Sequence, residues 1–188
     1  MKVYIIRHGE SENNLNKRWT GWLDVALTEK GYEDARRAGE ILANASFDRV
    51  FSSDLRRARE TAETALPGCH PETSPLLREI NVGTLADKPL SARTPEIGGK
   101  ISASGYTAFG GESYEDLQNR VRMFKAELES VDCGIAAVFT HAGWLRGFLD
   151  EVVGVHLSRE IIRCGNCTVG IFEYKKGKWY LHSWINLA

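Results

Sequence analysis

Two histidines follow directly after short apolar runs of strand-forming residues. His8 comes after Val3-Tyr4-Ile5-Ile6 and Arg7, and His141 after Ile135-Ala136-Ala137-Val138-Phe139 and Thr140. An imidazole with an ordinary pKa near 6.5 is largely neutral at neutral pH, and is then a competent nucleophile. Arg7, beside His8, brings a permanently charged planar fork that suits a phosphate group bidentately, and Gly9 lets backbone and substrate approach closely. Arg56 and Arg57 follow Ser53-Asp54-Leu55 at a second strand-to-helix junction, where free backbone N–H groups favour anions. The two arginines point in different directions on a helix, so one of them reaches a shared site. Glu79 stands after Leu76-Leu77-Arg78. A carboxyl group beside a phosphate is driven toward its protonated form, which suits a general acid that protonates a leaving alkoxide. Taken singly, each residue has an ordinary structural alternative: a charged turn, a solvated basic helix face, a surface glutamate paired with Arg78.

The elements that position these groups are legible as alternating strands and helices. Val3 to Ile6, Phe47 to Ser52 and Ile135 to Phe139 read as buried strands. Thr28 caps a helix whose Ala35, Ala38, Ile41 and Leu42 share a face, and Ser53 caps another beginning near Asp54. Ser113 with Asp116 resembles a capping box ahead of the stripe Leu117, Val121, Phe124 and Leu128. A helix after His141 stops at Gly154, and Val169 to Tyr174 and Trp179 to Trp184 form a hairpin through Lys176-Gly177. This order predicts one α/β domain over residues 1–188, a three-layer α/β/α sandwich with a mainly parallel central sheet and an antiparallel edge. Ligands of such sheets collect at the carboxyl ends of the strands, where both histidines fall. Residues 85–112, rich in glycine from Ser91 to Gly111, read as a short cap or lid passing over that edge.

Composition narrows the partners. The 188 residues carry 24 basic and 25 acidic side chains, which argues against nucleic acid. No apolar run approaches the roughly 20 residues that span a bilayer, and the amino terminus lacks signal-peptide character. A cytoplasmic protein, monomeric or homodimeric, is expected. Cys164-Gly165-Asn166-Cys167 lacks the second pair of ligands that a zinc site needs, so Cys69, Cys133, Cys164 and Cys167 are expected to be reduced structural thiols.

Taken together and in order, the motifs resemble the histidine phosphatase superfamily, which includes the cofactor-dependent phosphoglycerate mutases. Arg7-His8-Gly9-Glu10-Ser11 with Asn14 is similar to its signature, and Arg18 to Asp24, Leu27-Thr28 and Gly31 to its next segment. Ser53 to Ala58 with Thr61-Ala62, Leu77-Arg78-Glu79, Gly110 to Ser113 and Thr140-His141-Ala142-Gly143 complete the series. The resemblance implies that His8 attacks phosphorus, that Arg7, Arg57 and His141 hold the non-bridging oxygens, and that Glu79 protonates the leaving oxygen. It also implies substrate contacts at Asn14, Thr20, Gly21 and Ala142, and no metal or cofactor. The sequence departs from the mutases after the acid, where they carry Arg-His-Tyr-Gly and this chain carries Ile80-Asn81-Val82-Gly83. Its covering region offers only Lys88, Arg93 and Lys100 as basic residues. The expected activity is therefore a phosphatase acting on a small-molecule phosphate monoester. The length and short cover resemble α-ribazole-5′-phosphate phosphatases, with sugar-phosphate and broad-specificity phosphatases similar. Phosphoglycerate mutase and a non-catalytic phospho-ligand binder remain as alternatives. Trp19, Trp22, Tyr106 and Phe109 either stack on a substrate ring or pack in the core.

Overall fold

Strands in which every side chain is apolar need cover on both faces, and the two runs leading to the histidines are of that kind. The computed structural model describes residues 1–155 and 162–187. Along the chain lie β1 (Lys2–Arg7), the single turn α1 (Glu12–Leu15), α2 (Glu29–Leu42), β2 (Arg49–Ser53), α3 (Arg56–Ala65) and β3 (Glu72–Ser74). They are followed by α4 (Pro95–Ser104), α5 (Tyr114–Ser130), β4 (Ile135–Thr140), α6 (Ala142–Val153), β5 (Val169–Lys175) and β6 (Lys178–Ile185). The strands form one sheet in the order β3-β2-β4-β1-β5-β6. The first four are mutually parallel, whereas β5 runs antiparallel to β1 and β6 antiparallel to β5. Both hairpin strands therefore contribute to the antiparallel side. Lys176 and Gly177 at their turn both have positive φ, 52° and 75°, as a two-residue turn of this hand requires.

Side-chain alternation divides the core in two. Val3 and Ile5 of β1 and Ala136 and Val138 of β4 pack against α5 and α6 through Val121, Phe124, Trp144 and Phe148. Tyr4, Ile6, Ala137 and Phe139 face the other way, against the alanine-rich faces of α2 and α3. These are the helical layers of the expected sandwich. Small side chains on α2 and α3 bring backbone close to backbone. A Cβ on Gly9 would lie 2.3 Å from the Gly31 carbonyl oxygen, and one on Gly31 would lie 2.0 Å from that of Glu10. The loop after His8 thus rests directly on the first turn of α2.

The structure departs from the sequence reading in three places. Ser53 does not cap α3: the N-cap is Leu55 without a side-chain bond, and the Ser53 hydroxyl turns instead toward His141. The short strand β3 has no counterpart in the sequence pattern, because three residues give no usable period. The covering stretch is not irregular throughout, for α4 occupies its middle. Thr94 caps α4 by accepting from Ile97 N–H, and Pro95 takes the first helical position. Gly98 and Gly99 conceal the helix, since glycine disfavours a helix interior. No helix among the described residues is long and apolar enough to cross a membrane.

Two glycine substitutions test this packing. Gly31→Ala should destabilise the protein by about 1–3 kcal/mol through overpacking, read as a lower urea midpoint. Gly99→Ala has nothing within 4 Å of the new methyl group and should stabilise by about 0.5–1 kcal/mol through helix propensity.

Candidate active site

Parallel pairing of β1 with β4 sets Arg7 opposite Thr140, so both histidines emerge at one edge of the sheet. Their ring centroids are 5.1 Å apart. His8 Nδ1 lies 2.6 Å from the Gly9 carbonyl oxygen. A carbonyl only accepts, so the proton sits on Nδ1 and the lone pair on Nε2. Arg57 Nε donates to that Nε2 at 3.3 Å. β2, next to β4, delivers Arg57 through the first turn of α3. Arg57 is 1% exposed, and its other donors reach the Leu23 and Gly21 carbonyls at 2.8 and 2.9 Å. Arg56, next in sequence, points outward to Glu60, so Arg57 is the arginine that reaches the site.

Arg7 donates from Nη1 to the Cys164 carbonyl at 2.6 Å, while its buried Nε has no hydrogen-bond partner among the described residues. His141 is fully buried; its Nε2 lies 2.9 Å from the Ser53 hydroxyl, and its Nδ1 likewise lacks a partner among those residues. A cavity of about 510 Å³ opens over this group, a volume suited to a small organic ligand. Arg7, His8, Asn14, Thr20, Gly21, Arg57, Glu79 and Ala142 all line it, and His141 stands behind His8. Asn14 Oδ1 is engaged by Ser11 N–H and Asn166 Nδ2, which leaves its amide NH₂ as the end that can serve a ligand.

Glu79 reaches the cavity from the loop after β3. Its carboxylate accepts from Ile80 N–H at 2.9 Å and from Gly143 N–H, in the first turn of α6, at 3.1 Å. A Cβ on Gly143 would lie 2.2 Å from Glu79 Oε1, so glycine is what admits the carboxylate there. The backbone of the same loop is held by Trp22 Nε1, 2.6 Å from the Glu79 carbonyl, and by the guanidinium of Arg120.

Several residues that matter here carry no signal in the sequence. Asn166 donates to the His8 carbonyl as well as to Asn14, and Cys167 N–H also points to the His8 carbonyl. The Cys-x-x-Cys loop therefore acts through its backbone and its asparagine. All four cysteines are free, and burial pushes the Cys167 thiol up to about 12. Gly9 meets Gly31, rather than admitting the ligand. Of the four aromatic residues, Trp19 and Tyr106 line the cavity, while Phe109 packs against the core. The Trp22 ring lies 4.8 Å from the Arg78 guanidinium and 5.9 Å from that of Arg120. Leu90 and Arg93 bring the covering segment to the cavity, where Arg18 and Arg146 add further positive charge. Among the described residues no group of three or more His, Cys, Asp or Glu is placed to hold a metal ion.

Burial, then the Arg57 and Arg7 charges, holds the His8 pKa well below its ordinary value, against the opposing pull of the Gly9 carbonyl. His141 is lowered in the same direction, first by burial and then by Arg57 and His8. Burial also lowers Arg57, to about 10, which leaves it charged at neutral pH. Both rings are thus neutral in the native protein, and an acidic medium works against the fold. Below about pH 6.5 the unfolded chain binds protons that the native rings do not, so stability falls with pH by up to about 1.4 kcal/mol per unit for each ring. Urea midpoints from pH 7.5 to 5.5 should show this fall, and His8→Asn should flatten it. Gly143→Ala should push the Glu79 carboxylate off the Gly143 amide and lower stability by about 1–3 kcal/mol through overpacking, read as a lower urea midpoint.

The sequence matches the histidine phosphatase superfamily (branch 1) over residues 3–187. It is 29% identical over 194 residues to the protein described as "Probable phosphoglycerate mutase GpmB" of Salmonella paratyphi A, covering 98% of this chain and 90% of that one. The crystal structure of a phosphoglycerate mutase from Thermus thermophilus superposes with a TM-score of 0.75 at 31% identity, over 100% of both chains. A provisionally named alpha-ribazole-5'-P phosphatase from Escherichia coli K-12 shares the fold, with a TM-score of 0.86 at 23% identity over 99% of this chain and 97% of that one. With its family signature matched from β1 to the last residues of the chain and its two histidines side by side at the sheet edge, the protein belongs to the histidine phosphatase superfamily.

Proposed function

We propose that the protein hydrolyses a small-molecule phosphate monoester through a phosphohistidine on His8, without a metal ion. The observation that carries this reading is the fixed tautomer of His8, with Nδ1 tied to Gly9 and Nε2 presented beside the Arg7 and Arg57 guanidinium groups. In the first step Nε2 attacks phosphorus in line with the ester oxygen. The N–P bond forms, the P–O bond breaks, and the departing oxygen takes a proton from Glu79. Positive charge develops on the ring, and the Nδ1–H bond to the Gly9 carbonyl strengthens with it. Arg7, Arg57 and Asn14 donate to the phosphoryl oxygens. His141 Nε2 lies 2.9 Å from the Ser53 hydroxyl; with that hydroxyl as the donor, the His141 proton sits on Nδ1, the nitrogen without a partner among the described residues, and serves as a further donor. In the second step water attacks phosphorus, Glu79 takes its proton, and the N–P bond breaks to release phosphate. Preorganised positive charge of this kind is the main catalytic resource in phosphoryl transfer.

The residues just after Glu79 favour hydrolysis over mutase activity. Ile80 and Val82 face the cavity at the places where the mutase pattern carries Arg and Tyr, and α-ribazole 5′-phosphate or a sugar phosphate suits the partly apolar wall made with Trp19 and Tyr106. One observation favours the mutase alternative: Arg18, Arg93 and Arg146 line the same cavity and suit a second anionic group on the ligand. A panel of phosphate esters, assayed with and without chelator, tests the proposal. Turnover should persist in chelator, an acid-labile phosphoryl-enzyme should form, and His8→Ala should abolish both. Isomerisation of 3-phosphoglycerate in the presence of bisphosphoglycerate, without net phosphate release, would overturn hydrolysis in favour of the mutase.

A further inference from the structure

We infer that Arg120, locked to Glu112, is the positioning residue for Glu79; the inference rests on the reading of Glu79 as the general acid. Arg120 projects from α5 and Glu112 from the loop just before it. The pair is bidentate, with Nε and Nη2 each 2.8 Å from a carboxylate oxygen, and both side chains are about one-seventh exposed, 14% and 15%. The remaining donors of Arg120 go to main-chain carbonyls on the acid's own loop: Leu76 at 3.0 Å, Arg78 at 2.7 Å and Glu79 itself at 3.1 Å. Glu112 Oε2 in turn accepts from Asn81 N–H at 2.8 Å. The ion pair therefore grips the backbone on both sides of residue 79, before it through carbonyls and after it through an amide.

Nothing in the loop's own sequence supplies that grip. Residues 78 to 82 are in neither a helix nor a strand, so their carbonyls need partners from elsewhere. The guanidinium also lies against the Trp22 ring, whose indole N–H shares the Glu79 carbonyl. With the backbone so fixed, the carboxylate lands on Ile80 N–H and Gly143 N–H and faces the cavity. A lysine at position 120 keeps the charge and loses the planar fork, so it cannot serve carboxylate and carbonyls together. The expected consequence is a misplaced acid in a folded protein.

The leaving group tells a misplaced acid from general damage. An alkoxide needs a proton as it departs, whereas dinitrophenolate does not, and kcat/KM reports the steps up to its release. Glu79→Gln sets the reference: it should lower kcat/KM for an alkyl phosphate about 10²-fold or more, and much less for dinitrophenyl phosphate. Arg120→Lys and Glu112→Gln should show the same selectivity, with the alkyl ester falling about 10- to 100-fold and the dinitrophenyl ester changing little. Should Arg120→Lys fail to fold by circular dichroism, Glu112→Gln decides. Equal losses on both esters, or none on either, would overturn the positioning role if Glu79→Gln discriminates. A Glu79→Gln variant that does not discriminate would instead remove the acid assignment itself.

Discussion

His8 Nδ1 lies 2.6 Å from the carbonyl oxygen of the next residue, and this short contact fixes which ring nitrogen faces the cavity. Because the partner is a carbonyl, the tautomer is settled without any other residue. The carbonyl can hold its place only because the loop from Gly9 is pressed against Gly31 of α2 and its amide donates to Thr61 of α3. From behind, Asn166 Nδ2 and Cys167 N–H both reach the His8 carbonyl. The orientation of one imidazole thus draws on helices from one layer and on the loop ahead of β5.

The same economy governs the arginines. Arg57 is lodged on the Gly21 and Leu23 carbonyls, Arg7 on that of Cys164, and Arg120 on those of Leu76, Arg78 and Glu79. A buried cation needs partners, and main-chain oxygens outside the regular strands and long helices supply them without neutralising the charge. Carboxylate partners directly at Arg7 or Arg57 would compete with a phosphate for the same fork. Glu112, by contrast, pairs with Arg120 beside the loop that carries Glu79, outside the cavity lining. Charge is thereby kept where a phosphoryl group would collect it, and is balanced where only backbone has to be held.

Much of the fold is legible because its signals are local. Full burial of β1 and β4 makes uninterrupted apolar runs, Thr28 and Ser113 cap their helices as their sequence context predicts, and Gly154 ends α6 in the left-handed conformation that glycine favours. The helix in the covering segment is hidden by Gly98 and Gly99, since its only buried residue is Ile101 and a single apolar position makes no period. Ser53 misleads because a hydroxyl before a helix looks the same whether it caps that helix or bonds a distant ring. Trp22 is open to the same confusion, since sequence cannot say whether an aromatic ring meets a ligand or a guanidinium.

The order of motifs by itself determined the family and which side chains would share a site: two histidines and Arg7 at strand ends, Arg57 in the first turn of a helix, and Glu79 on a loop. Only the tertiary structure decided the supports, because Asn166, Gly143 and Arg120 reach the site across 158, 64 and 41 positions of chain. No local preference marks an asparagine that holds a carbonyl far back in the chain, or an arginine that grips someone else's loop. Those roles exist only once the sheet has closed and left main-chain groups that water no longer reaches.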